Sequence, residues 1–156
     1  MQSDHIAVRS ANSADIDWLY SEYLSSMEEA AAGVGVMAEV PQFERSLFTT
    51  AIADHDWRVE IAESDGRLAG FIMMYESKEN CDLATAPYGE VLWVSVGAGF
   101  DAAPVVGKFI DSAKQWFQAR GISKLLVAHF ASQGELGRAL EDAGFTPLSR
   151  RMICQI

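Results

Sequence analysis

The sequence predicts a mixed α/β domain spanning residues 1–156. Three observations carry this. An Asp65-Gly66 turn joins two runs of alternating apolar and polar residues, the pattern of a β-hairpin. A nearly continuous apolar run, Glu90–Val96, reads as a strand buried on both faces. Strand–helix alternation is confined to the second half of the chain, which favours a mixed sheet over a doubly wound one.

In chain order, residues 5–10 alternate and form a first strand. Asn12 or Ser13 then caps a helix, with Asp15 suitably placed in its first turn. Ile16, Leu19, Tyr20, Tyr23, Leu24 and Met27 repeat at helical spacing through Glu29. The stretch AAAGVGVMAEVP holds two glycines and ends in Pro41, so it reads as a mobile connection around residues 30–40. A second helix follows over 42–53, with Phe43, Leu47 and Ile52 inward. Residues 57–62 and 68–76 are the two hairpin strands. The segment 77–87 is polar and proline-terminated, hence a loop. After the central strand, Asp101 caps a helix that tolerates Pro104 in its first turn. Val105, Val106, Phe109, Ile110, Ala113, Trp116 and Phe117 make its core stripe, and Gly121 ends it. A short strand spans 124–130. A helix from about Ser132 turns Leu136, Leu140 and Ala143 inward, and residues 145–156 close the chain as a strand or hairpin.

The net charge of −10, from 12 Lys and Arg against 22 Asp and Glu, argues against nucleic acid and anionic membranes as partners. It serves solubility, or the steering of a cationic amine. No apolar run reaches the roughly 20 residues of a membrane span, and the first ten residues have no signal-peptide pattern. The expectation is a cytoplasmic protein. Two cysteines, Cys81 and Cys154, and three histidines far apart in sequence give no metal-ligand spacing.

The chain resembles the Gcn5-related N-acetyltransferases, the GNAT superfamily. The resemblance rests on the element order, on the strand–helix–strand unit LWVSV…GKFIDSAKQWFQARGISKLLV, and on ALEDAGFTPLSRRM with its Gly-Phe ending. It covers residues 5–155 and implies a central, mostly antiparallel sheet flanked by helices. It also implies acetyl-CoA held in a V-shaped opening between the fourth and fifth strands, here 90–96 and 124–130. The backbone of Val94 and Val96 would bind the pantetheine arm as a strand edge. The pyrophosphate would lie over the next helix start, on N–H groups of Ala102, Ala103, Val105 and Gly107, with Lys108 as counter-charge. The family's phosphate loop usually reads Arg/Gln-x-x-Gly-x-Gly/Ala. Here Ala102 stands at the basic position and Val105 at the middle glycine, while Pro104 removes a donor and Asp101 adds a negative charge. Gln133 corresponds to the family's asparagine. Leu140 stands where many members carry the tyrosine that protonates the departing thiolate.

Acetyl transfer to an amine requires a base, oxyanion donors and a positioned thioester. Glu90 opens the central strand, and regular alternation would put it on the face of Leu92, Val94 and Val96. It reads either as the base or as a solvated strand-end carboxylate. The N–H of Val94 or Val96 would serve the oxyanion. His129, at the end of the neighbouring strand, reads as a proton relay or a hydrogen-bonded strand-end residue. Tyr20, Tyr23 and Glu28 lie on the first helix, where the family covers its acceptor. The tyrosines read as ligands or core, and Glu28 as a grip on a cationic acceptor or a solvated helix end. The functional expectation is an N-acetyltransferase for the primary amine of a small, cationic acceptor. The alternatives are an inactive GNAT-fold module binding a small ligand, acyl carrier or protein, and an acyltransferase for larger acyl groups with Val105 and Val106 lining a roomier turn. Homodimers are common in the family.

Overall fold

The computed structural model describes residues 5–33, 43–129 and 133–148. Among the described residues, five strands form one sheet in sequence order, β1 (Ile6–Ser10), β2 (Trp57–Ser64), β3 (Arg67–Ser77), β4 (Tyr88–Val96) and β5 (Leu125–Val127). The first three pairings are antiparallel and β4–β5 is parallel. The described α-helices flank it: α1 (Ile16–Gly33), α2 (Arg45–Ala53), α3 (Ala102–Ala119) and α4 (Gly134–Asp142).

Local chemistry explains the boundaries. Asn12 and Asp15 complete a capping box ahead of α1, and Arg9 clamps the Asp15 carboxylate through two nitrogens at 2.8 and 2.9 Å. Asp65 and Gly66 both take positive φ, 50° and 74°, as a two-residue I′ hairpin requires. Gly121 at φ 75° ends α3, with the Ile122 N–H returning to the Phe117 carbonyl.

Each face of the sheet carries its own core. On one side α3 and α4 pack Val105, Val106, Phe109, Ile110, Phe117, Leu136 and Leu140 against Ile72, Met74, Val91 and Val94. On the other, α1 and α2 pack Leu19, Tyr23 and Phe48 against Ile61, Phe71, Met73 and Trp93. The first core is chiefly aliphatic and the second is rich in rings.

Several expectations need correcting. Residues 30–33 are helical, because Ala30 and Ala31 bury themselves and extend α1 by one turn. In α2 the fully buried side chains are Phe48 and Ala51, while Leu47 and Ile52 pack partly buried against the same core. Residues 145–148 are not a strand. The rest of the closing segment, and residues 34–42, lie outside the described residues. Val105 and Val106 are fully buried against the sheet, so they line no roomier turn.

Candidate functional site

The central strand β4 does not alternate regularly. Met73 pairs with Trp93 and Met74 with Val91, which leaves Leu92 as an extra residue, a β-bulge. Leu92 and Trp93 therefore both face α1 and α2, whereas Val91 and Val94 face α3. Partners across a pair share a face. Glu90 pairs with Tyr75, whose ring stacks on Trp57 of the ring-rich side at a centroid distance of 4.8 Å. Glu90 thus lies on the side opposite Val94 and Val96, contrary to simple alternation.

β5 accompanies β4 only as far as Val91, opposite Val127. Beyond that point β4 has a partner on its β3 side alone among the described residues, so the two strands fork there. The Gly97 N–H points inward, to the Ala69 carbonyl at 2.8 Å. Two-residue alternation then turns the Ser95 backbone inward as well and leaves the N–H and C=O of Val94 and Val96 on the open edge. Glu90 sits one residue before the fork.

The Glu90 carboxylate is half-buried. Its Oε2 accepts a hydrogen bond from the Tyr75 hydroxyl at 2.7 Å, and no described residue bonds Oε1. Burial, then the bond to Glu90, pushes the Tyr75 phenol well above the usual tyrosine range. Tyr88 and Cys81 lie close by. Hydrogen bonding to Tyr88 and to the Leu83 and Ala84 N–H groups lowers the exposed Cys81 thiol, and the same thiol pushes the Tyr88 phenol up.

At the other end of β4, Gly99 with φ 86° helps turn residues 97–101 into α3. Asp101 is the exposed N-cap, and its side chain makes no capping bond. Only the first residues of a helix have unbonded N–H groups. The N–H groups of Ala102 and Ala103 are such donors. Pro104 has none, and i-to-i−4 bonding commits Val105 to the Asp101 carbonyl and Gly107 to Ala103. The expectation of phosphate donors at Val105 and Gly107 is therefore corrected. Lys108 is exposed, about 9 Å along the axis from Ala102 at 1.5 Å per residue.

The remaining candidates scatter. His129 lies two residues beyond β5, and its ring is set against Gly137 of α4. That is the α3–α4 side, so the fold does not bring His129 together with Glu90. Gln133 is the N-cap of α4, where its carbonyl accepts from Gly137. Tyr23 is fully buried, with its hydroxyl accepting from the Phe43 N–H at 3.1 Å and its ring edge-on to Trp93. It is a core residue and cannot touch an acceptor, which corrects its place among the substrate residues. Tyr20 is half-buried and packs against Tyr23 and Phe48. Glu28 is exposed on α1. Leu140 is buried in the α3–α4 core.

Two contacts were not visible in the sequence. Tyr75 needs the β3–β4 register to be placed beside Glu90. Ser95 donates to Glu22 of α1 at 2.7 Å, which ties that helix to the forked strand. One group has metal-ligand geometry among the described residues: ligand atoms of Asp54, His55 and Asp56 lie within 4.8 Å of one another. Asp56, however, already pairs with Lys78 and Arg120.

No protein-family model and no curated protein matches the chain. Solved structures do. The aminoglycoside N-acetyltransferase AAC(6')-Iy in complex with CoA superposes with a TM-score of 0.75 at 13% identity, covering 99% of this chain and 97% of that one. A predicted acetyltransferase with acetyl-CoA from Clostridium acetobutylicum gives 0.73 at 14% identity, with 96% of each chain covered. A tetramutant of the BH1408 protein from Bacillus halodurans gives 0.79 at 10% identity, covering 96% of this chain and 99% of that one. The mixed sheet, the fork after Val91 and these superpositions agree: the chain has the fold of the Gcn5-related N-acetyltransferases.

Proposed function

We propose that the protein is an N-acetyltransferase that moves an acetyl group from acetyl-CoA to the primary amine of a small, cationic acceptor. One observation carries this reading: the outer edge of β4 at Val94 and Val96, which has no strand partner among the described residues and offers their backbone to an amide-bearing arm. Both amides of pantetheine can add to that edge as a further strand would. The pyrophosphate then lies at the 97–103 turn, on the N–H groups of Ala102 and Ala103, within reach of Lys108. The net charge of −10 draws a cationic acceptor toward the protein.

Glu90 acts as the base. The acceptor's ammonium gives one proton to Oε1, and its nitrogen attacks the thioester carbonyl. The N–C bond forms, the C–S bond breaks, and CoA leaves as a thiolate that takes up, through water, the second proton the nitrogen gives up. With a thiol pKa of about 8.5 the thiolate leaves without a dedicated acid, so Leu140 is compatible with turnover. His129, Gln133, Tyr20 and Glu28 remain candidates for lining the cofactor and acceptor paths. A homodimer is the assembly we expect.

The test has two parts. Acetyl-CoA at 1 mM, about the upper range of ordinary KM values, should raise the melting temperature. A panel of small amines should release CoA thiol only when acceptor and acetyl-CoA are both present. Stabilisation without release by any amine would favour the second reading, a binding module. The observation behind that rival is the phosphate turn, with two free N–H donors where four were expected and the Asp101 carboxylate beside them. Asp101→Asn should tighten acetyl-CoA binding about 2- to 5-fold, the size of one helix-terminus charge effect.

A further inference from the structure

We infer that Tyr75 is the positioning residue for Glu90, holding one carboxylate oxygen so that the other faces the acceptor. The inference rests on the reading of Glu90 as the base. Three features support it. Cross-strand pairing of Tyr75 with Glu90 places both side chains on one face, and the hydroxyl lies 2.7 Å from Oε2, the short distance of a bond to a charged acceptor. The Tyr75 ring is itself held, stacked on Trp57 with an interplanar angle of 21°, so the hydroxyl is aimed before any ligand arrives. Burial and the Glu90 charge keep the phenol protonated, so it donates throughout the pH range in which a base would work.

The chemistry needs such a residue. A glutamate on a strand has three rotatable bonds, and a base loses effectiveness when its lone pair wanders from the proton it takes. Tyr75 commits Oε2 and leaves Oε1 without a described partner. Other ionisable groups whose fields meet that of Glu90 are Tyr88 on β4 and Cys81 in the 77–87 loop. Neither replaces the direct bond from Tyr75.

Tyr75→Phe keeps the ring and its stack and deletes only the hydroxyl. In the full-length protein we expect kcat to fall about 5- to 30-fold with the KM for acetyl-CoA unchanged, and the acid limb of the kcat/KM profile to move up by about one pH unit. Glu90→Gln, measured alongside, should be slower still. If Glu90→Gln is impaired but Tyr75→Phe matches wild type in rate and profile, the positioning role is overturned and the base survives. If Glu90→Gln has wild-type rates, the base reading fails and the inference with it. A further readout needs no turnover. Alkaline titration of tyrosine absorbance in Glu90→Gln should show one phenol ionising at lower pH than in wild type, and an unchanged titration would overturn the inference by itself.

Discussion

Glu60 and Glu90 are two glutamates withdrawn from water on opposite faces of one sheet, and they have been given different donors. Glu60, on β2, is only 1% exposed and looks toward α3. Arg58 and Ser112 both donate to its Oε1, while the buried Oε2 has no hydrogen-bond partner. Glu90 has a single neutral donor, Tyr75, and remains half-buried. A carboxylate held by a guanidinium cannot take a proton without giving up an ion pair. One held by a phenol can, because the phenol loses only part of a hydrogen bond. The difference separates an anchor from a group fitted for proton transfer, although both are acids in a sheet of the same protein.

Substitutions sharpen this contrast. The largest effect should come from Glu90→Gln, which is expected to lower kcat about 10²- to 10⁴-fold, the usual weight of a general base, with the urea midpoint unchanged. Steady-state kinetics and a denaturation curve on the same variant check both halves. Glu60→Ala should do the reverse. It should cost about 1–3 kcal/mol of stability, less than a fully buried pair because Arg58 is about one-third exposed and can rehydrate. Its kcat should match wild type, and a loss of rate without a loss of stability would break the comparison. Ser112→Ala removes one neutral donor from Glu60 and should cost about 0.5–1.5 kcal/mol by the same denaturation assay.

The smallest effect concerns a third acid. Hydrogen bonding from Arg9 holds the Asp15 carboxyl below its usual range. A depressed carboxyl contributes stability above its unfolded titration range and loses it as pH falls through the folded one. The melting temperature of wild type should therefore be level near neutrality and decline below about pH 4. Asp15→Asn should be slightly less stable near neutrality, and its curve should converge on that of wild type in acid.

The elements with local signatures were legible in the sequence. The Asp65-Gly66 hairpin announced itself by the turn residues, α3 by seven apolar positions at helical spacing, and its end by Gly121. The fork could be expected only through the family resemblance, since nothing in the residues 92–96 distinguishes an unpaired edge from a paired one. The bulge at Leu92 was invisible for a related reason. In a strand apolar on both faces, an extra apolar residue leaves no break in the pattern, so Glu90 was assigned to the wrong side. The phosphate donors were misjudged because α3 begins at Ala102, which places Val105 and Gly107 inside the helical ladder. Tyr23 was legible as a helix-face residue, but its burial depended on Trp93 and Phe43, from distant parts of the chain.

The bulge has a consequence for how this sequence tolerates change. A regular strand sorts its residues by odd and even position, and one inserted residue reverses the sorting for everything on one side of it. Deleting Leu92 would leave hydrophobicity, length and strand propensity nearly intact. With Val94 and Val96 keeping their places, the deletion would remove the bulge and set Glu90 three residues before Val94, a separation that regular alternation places on opposite faces, so Glu90 would stay beside Tyr75. One deletion between Glu90 and Val94 should thus cancel the bulge and spare the side of Glu90, whereas a second deletion there should reverse it.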